Sequence, residues 1–232
     1  IHQVLEDNCE SMGATFNEKY AGTFGLMGSF SSFFSHHIST MEGGHIVTDC
    51  EEMYHILLSL RAHGWTRNLP KVNKVCSEKS DDNFKETFRF VLPGYNVRPL
   101  ELEGAIGIQQ LKKLPKFIDQ RRKNGKVFQN VMKDHSDLMI QKEIGNSSWF
   151  GFSMIIKKDS SMEREFLIER LNKLGFETRP IVAGNFTESE VMKYFDCEIP
   201  FELINAKHID KNGLFIGNHH LEMDEAFEKI KK

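Results

Sequence analysis

Two imidazoles stand side by side in FSSFFSHHISTMEGG, Phe30 to Gly44, directly after a run of phenylalanines and serines. Histidine carries protons near neutral pH, and the hydroxyls of Ser31, Ser32 and Ser35, with nearby backbone N–H groups, suit a phosphate. Taken singly, His36 and His37 each fit a hydrogen-bonded structural role as readily as a catalytic one. The MEGG that follows is a turn requiring the backbone freedom of glycine. Upstream, LEDNCESMGA sets Asp7 at the end of a short apolar alternation, where open α/β sheets hold their ligands. A carboxylate there can pair with a protonated ring nitrogen; the plainer alternatives are an Asx turn or a helix cap.

Three other stretches carry polar chemistry. RAHGWTRN offers His63 and Arg67, and FETRPIVAGN offers Glu177, Arg179 and Asn185. Arginine suits a diphosphate through its paired N–H donors, although Arg67 and Arg179 fit surface ion pairs equally well. GLFIGNHH places Asn218, His219 and His220 at a strand end, where capping the next helix is an equal reading.

The elements that must position these groups alternate. Residues 1–6 read as a strand already under way at the first residue, and Gly44 to Thr48 as another. A helix follows, capped by Thr48 or Asp49, with Met53, Ile56, Leu57 and Leu60 on one face. Residues 68–84 read as a polar excursion loop. A helix from about Leu100 to Lys133, broken at Pro115, has a basic segment QRRKNGK that reads as a solvated face. A strand (150–156), a helix (163–174), a strand (177–182) and a final strand and helix (214–216, 223–230) make an α+β unit. With 232 residues, 40% of them hydrophobic, the chain can bury a real core. A net charge of −3 gives no basis for a nucleic-acid or anionic-membrane partner. No apolar run approaches the roughly 18 residues of a membrane span. Four scattered cysteines lack the spacing of a zinc or iron–sulfur site and read as reduced thiols of a cytoplasmic protein.

Taken in order, EDNCESMGA, FSSFFSHH with its EGG, and PGYNVRPLELEGAIGIQQLKKL closely resemble the motifs of the DegT/DnrJ/EryC1/StrS sugar aminotransferases. In the third motif Gly94, Asn96, Arg98, Ala105, Gly107, Gln110, Leu111 and Leu114 all fall in register. The resemblance implies an α/β pyridoxal-phosphate-dependent fold type I protein lacking its N-terminal third. Residues 1–99 would be the end of the large cofactor-binding domain, and 100–232 the small α+β domain.

The resemblance also implies roles. Asp7 would bind the pyridine nitrogen, Glu10 would lie beside the ring, and Ser31 would bond the cofactor phosphate. Asn96 would reach the phosphate of the neighbouring subunit in a homodimer. His63, Arg67, Glu177 and Arg179 would lie near the sugar nucleotide. His36 falls where the family carries its Schiff-base lysine; a slip of one residue would put His37 and Ser32 in those roles instead. Imidazole cannot form the lysine's covalent link, and with a pKa near about 6.5 it only moves protons. This pattern resembles the subgroup of 3-dehydratases that use pyridoxamine phosphate on nucleotide-linked 4-keto-6-deoxy sugars, with glutamate as amino donor. The absence of closely spaced cysteines points to the cluster-free kind acting on a GDP-linked sugar. A 4-aminotransferase would need a lysine near residue 36, and none lies between Lys19 and Lys71. A non-catalytic dimerising remnant of the family is the other reading.

Overall fold

The structure, a computed structural model, describes residues 3–231. Ile1 and His2, the first two residues of the strand expected over 1–6, lie outside that range. The chain divides into two compact units, Ile1–Leu114 and Pro115–Lys232. This division falls inside a helix, whereas the sequence reading set its domain boundary at 99/100.

In the first unit a three-stranded sheet has the order β1-β4-β5, with β1 Leu5–Asp7, β4 Met27–Ser31 and β5 Gly44–Val47. β1 runs parallel to β4 and pairs Asp7 with Ser29; β5 runs antiparallel to β4 and pairs Gly44 with Ser31. Two parallel strands thus end together, and the polar residues at their C-terminal ends face one space. Between β1 and β4 lies the small hairpin β2 Thr15–Phe16 and β3 Lys19–Tyr20. The excursion at 68–84 contains a second hairpin, β6 Val72–Asn73 and β7 Ser77–Glu78, before the one-turn α2 Asn83–Glu86.

Helix α1, Glu51–Leu60, departs from expectation at its start and in its burial. Its N-cap is Cys50, with no side-chain cap; Thr48 instead accepts the Cys50 N–H at 3.1 Å. The buried positions are His55 and Ser59 rather than the expected apolar face. Beyond it, two extended segments cross: Ala62 bridges Asn96 and Trp65 bridges Phe90, both antiparallel. Helix α3, Glu101–Met132, is continuous through Pro115 rather than broken there. Proline frees the Leu111 carbonyl from its usual bond, and both residues are exposed, so water can take that carbonyl.

The second unit is built on the antiparallel sheet β10-β11-β9-β8: β8 Leu138–Ile140, β9 Gly151–Ile156, β10 Thr178–Arg179 and β11 Gly213–Gly217. Helices α4 Arg164–Lys173, α5 Ile204–Asn212 and α6 Asp224–Lys231 complete it. Its core gathers Phe128, Phe152, Met154, Leu171, Ile216 and Phe227. Phe128 stacks on Phe152 at 4.4 Å, and Phe227 meets Phe152 edge-on at 5.1 Å.

QRRKNGK is not a solvated face. Arg121, Asn124 and Gly125 are buried, and Arg121 Nη1 donates to the carbonyls of Phe150 (3.2 Å) and Asn218 (2.9 Å). Burial pushes this guanidinium down to about 10. Asn218 is neither a cap nor a ligand candidate here: it is buried, donating to Arg121 O and Trp149 O and accepting from Asn124 Nδ2.

Candidate functional site

The parallel pair β1–β4 brings three of the expected residues to one end of the sheet. Asp7 is the last residue of β1 and is exposed; its Oδ1 accepts the Cys9 N–H at 3.1 Å, so the Asx turn does form. The carboxylate is held below its ordinary value by bonds from Cys9, then Ser29, and by the positive field of His36. It therefore stays ionised. In return, the Asp7 carboxylate and burial push the Cys9 thiol up to about 11.

Ser31 ends β4. Its hydroxyl accepts the Phe33 N–H at 3.1 Å and faces His36 Nδ1 at 3.4 Å. His36 is half-buried, turned back by its N–H to the Phe33 carbonyl (3.0 Å), with its ring edge-on to Phe33 at 6.1 Å. His37 and Ser32, the pair of the alternative register, are both buried. The Ser32 hydroxyl is committed to Thr40 Oγ1 at 2.6 Å, and Thr40 Oγ1 in turn donates to the Glu42 carbonyl.

That hydroxyl relay closes the loop carrying His36. Ser32 N–H bonds the Gly43 carbonyl (3.0 Å) and Thr40 N–H the Ser32 carbonyl (2.8 Å). Gly43 has φ +114°, a conformation L side chains rarely adopt, and a Cβ there would lie 3.1 Å from Ser32 Oγ. The MEGG turn has its glycine for this reason.

The other expected residues divide into groups. Glu10 is exposed in the turn after β1. Asn96 and His63 lie on the crossing segments, where His63 N–H bonds the Tyr95 carbonyl at 2.8 Å. A Cβ at Gly94 would lie 2.0 Å from Gly64 N, so the glycine of the third motif is demanded by this close backbone crossing. Arg67 is exposed, its guanidinium 3.8 Å above the Trp65 ring. Glu177 and Arg179, in the second unit, are exposed and paired with each other at 2.7 Å, the surface ion pair weighed from sequence.

Two participants were not read from sequence. Glu6, beside Asp7, accepts the backbone N–H groups of Gly22, Phe24 and Gly25 and so fixes the loop leading into β4. Burial opposes its ionisation, but those amides outweigh it and hold the carboxyl below its ordinary value. Ser29 meets Asp7 through the strand register. Its position two residues before Ser31, on the same strand face, was the available signal.

The donor set fits pyridoxal or pyridoxamine phosphate. An ionised carboxylate, serine hydroxyls and an imidazole converge at one sheet end, suited to a cationic pyridine nitrogen, the ring's polar substituents and a proton in transit. Among the described residues no cluster of histidine, cysteine or carboxylate side chains could hold a metal ion, and no helix is long and apolar enough to cross a membrane. The four cysteines are free thiols.

Comparison with known proteins agrees with the motifs. The chain is 64% identical over 230 residues to GDP-4-keto-6-deoxy-D-mannose 3-dehydratase of Escherichia coli, covering 99% of this chain and 59% of that protein. A solved GDP-4-keto-6-deoxymannose-3-dehydratase with a trapped PLP-glutamate geminal diamine superposes with TM-score 0.95 at 64% identity, over 98% of this chain and 60% of that one. A double variant of the same enzyme, with a histidine changed to lysine and the serine just before it to asparagine, superposes with TM-score 0.96 at 63% identity, over 99% and 60%. The chain thus spans about three-fifths of the length of the relatives it matches. Its fold is that of the pyridoxal-phosphate-dependent aminotransferases. The pattern of the DegT/DnrJ/EryC1/StrS aminotransferase family matches residues 2–231, and the chain belongs to that family.

Proposed function

We propose that this chain supplies the acid–base residue of a pyridoxamine-phosphate-dependent 3-dehydratase activity, which removes the C3 hydroxyl of a GDP-linked 4-keto-6-deoxyhexose for surface polysaccharide. The observation that carries the reading is a half-buried imidazole, His36, beside Ser31 and an ionised Asp7, with no lysine between Lys19 and Lys71. The doubly substituted relative supports the assignment to the first histidine. The one Ser-His dipeptide in this chain is Ser35–His36.

When bound, pyridoxamine phosphate supplies an amine for the C4 ketone and a ring that accepts electrons. Asp7 keeps a proton on the ring nitrogen because its own carboxylate stays charged. Ser31 donates its hydroxyl to the phosphate, Glu10 lies beside the ring, and Asn96 reaches the phosphate across a homodimer. His36, with Nδ1 turned to Ser31, would act as base for the proton released beside the ring and then pass that proton towards the departing C3 oxygen. A lysine at this position would add covalent chemistry that competes for the substrate amine; the imidazole retains only proton transfer. Arg67 presents paired N–H donors to the sugar nucleotide's diphosphate, with His63 on the same crossing segments; Glu177 and Arg179, paired with each other in the second unit, are separate candidates for contact with the sugar nucleotide. Glutamate restores the amine, and the reaction runs in the cytoplasm.

The test is His36→Asn. Turnover of GDP-4-keto-6-deoxymannose should fall by about 100- to 10,000-fold, the usual share of a positioned acid–base group, while cofactor absorbance stays with the protein. Activity within a few-fold of the parent would remove His36 from the chemistry.

A further inference from the structure

Among the described residues the guanidinium of Arg67 makes no ion pair and no hydrogen bond; it lies over the face of Trp65, 3.8 Å from the ring centroid. A cation held only by a π face keeps its N–H donors free for an oxyanion. The indole beneath it is unusually well fixed. Phe90 stacks on it at 5.3 Å and 8°, Phe88 lies against it at 5.5 Å, and His63 meets it edge-on at 5.9 Å.

The backbone under the indole is pinned from both sides. Trp65 bridges Phe90, Trp65 N–H bonds the Ala62 carbonyl at 3.0 Å, and Thr66 N–H bonds the Arg89 carbonyl at 3.1 Å. The fully buried Thr66 donates its hydroxyl to Glu86, which Arg89 also grips at 2.7 Å. Glu86 is thereby occupied and does not compete for Arg67. The indole N–H is buried and meets no acceptor, so ring packing rather than a hydrogen bond sets its orientation.

We infer that Trp65 is a positioning residue: its indole face pre-orients the Arg67 guanidinium for the diphosphate of the nucleotide-linked sugar. This rests on the reading of Arg67 as a diphosphate ligand. Arginine loses much rotamer freedom on binding an anion, and a platform that removes part of that freedom beforehand tightens binding without touching the ligand.

The experiment is a binding cycle by calorimetry with GDP as probe. Arg67→Ala should weaken GDP at least about tenfold. Trp65→Leu, which keeps apolar bulk and removes the π face, should weaken it about fivefold, and Trp65→Phe should stay within about twofold. Trp65→Leu should add nothing in the Arg67→Ala background, a non-additivity that a general loss of structure would not produce. Guanosine, which has no phosphate, should bind the parent and Trp65→Leu alike.

A second measurement leaves Trp65 intact: GDP should shift the indole emission of the parent and not of Arg67→Ala. Absence of that shift in the parent would overturn the inference even if Trp65→Leu fails to fold. GDP affinity unchanged by Arg67→Ala would overturn the diphosphate reading and the inference together. Weakening by Arg67→Ala but not by Trp65→Leu, or equal weakening by Trp65→Leu in both backgrounds, would overturn the inference alone.

Discussion

At the scale of single residues, two hydroxyls decide where the His36 ring can be. Ser32 gives its proton to Thr40, and Thr40 gives its own to the Glu42 carbonyl, so each hydroxyl is held in one orientation in a buried place. Thr40→Val keeps the shape and removes the relay, leaving the Ser32 oxygen buried without its acceptor. The expected cost is about 1–3 kcal/mol in urea unfolding, largely restored by Thr40→Ser. A Thr40→Val protein as stable as the parent would show that the relay does not hold the loop. Asp7, Ser31 and His36 were singled out by the resemblance of their motifs to a family, because the residues by themselves leave plainer structural readings open. Glu6 was not, because its partners Gly22, Phe24 and Gly25 lie far along the chain and only the folded loop supplies them.

At the scale of elements, the crossing segments around Trp65 and Asn96 depend on close backbone approach and on one carboxylate. Gly94→Ala should destabilise by about 1–3 kcal/mol in thermal or urea unfolding, since the new methyl meets Gly64 N; an unchanged midpoint would mean that the crossing has slack. Glu86 is pushed down to about 2 by its bond from Arg89, then by Ser80 N–H and Thr66. Its folded-state value lies below the unfolded one, so its contribution is fully present above the ordinary carboxylate range and is lost as pH falls towards about 2. The melting temperature of the parent should therefore fall more steeply with acid than that of Glu86→Gln. Parallel acid profiles would contradict this role. Periodicity found α1, α4 and β9, but it missed α5, whose face is not strongly apolar, and it expected a break at Pro115 where α3 is continuous. It also misplaced Arg121: a basic run looks solvated until a facing set of carbonyls, from Phe150 and Asn218, is brought to it.

At the scale of the molecule, the two units hold together by different means. The second has a dense aromatic core, and Phe152→Ala should cost it about 3–5 kcal/mol, read from its unfolding transition. The first leaves Leu5, Ile46, Tyr95 and Val97 exposed. Surfaces of that kind mark contacts with other chains or segments. The family and its fold were legible at this scale because three motifs occur in order. The division inside α3 was not, because a continuous helix carries no composition change where one compact unit gives way to the next.

The proposed chemistry requires His36 to occupy the place of a covalent amine. His36→Lys, incubated with pyridoxal phosphate, reduced with borohydride and digested, tests it by peptide mass spectrometry. The peptide containing residue 36 should carry the reduced cofactor, and the parent protein should carry none there. Labelling confined to the protein's original lysines would place the imidazole outside the cofactor's reach and rule out His36 as the group that replaces the lysine.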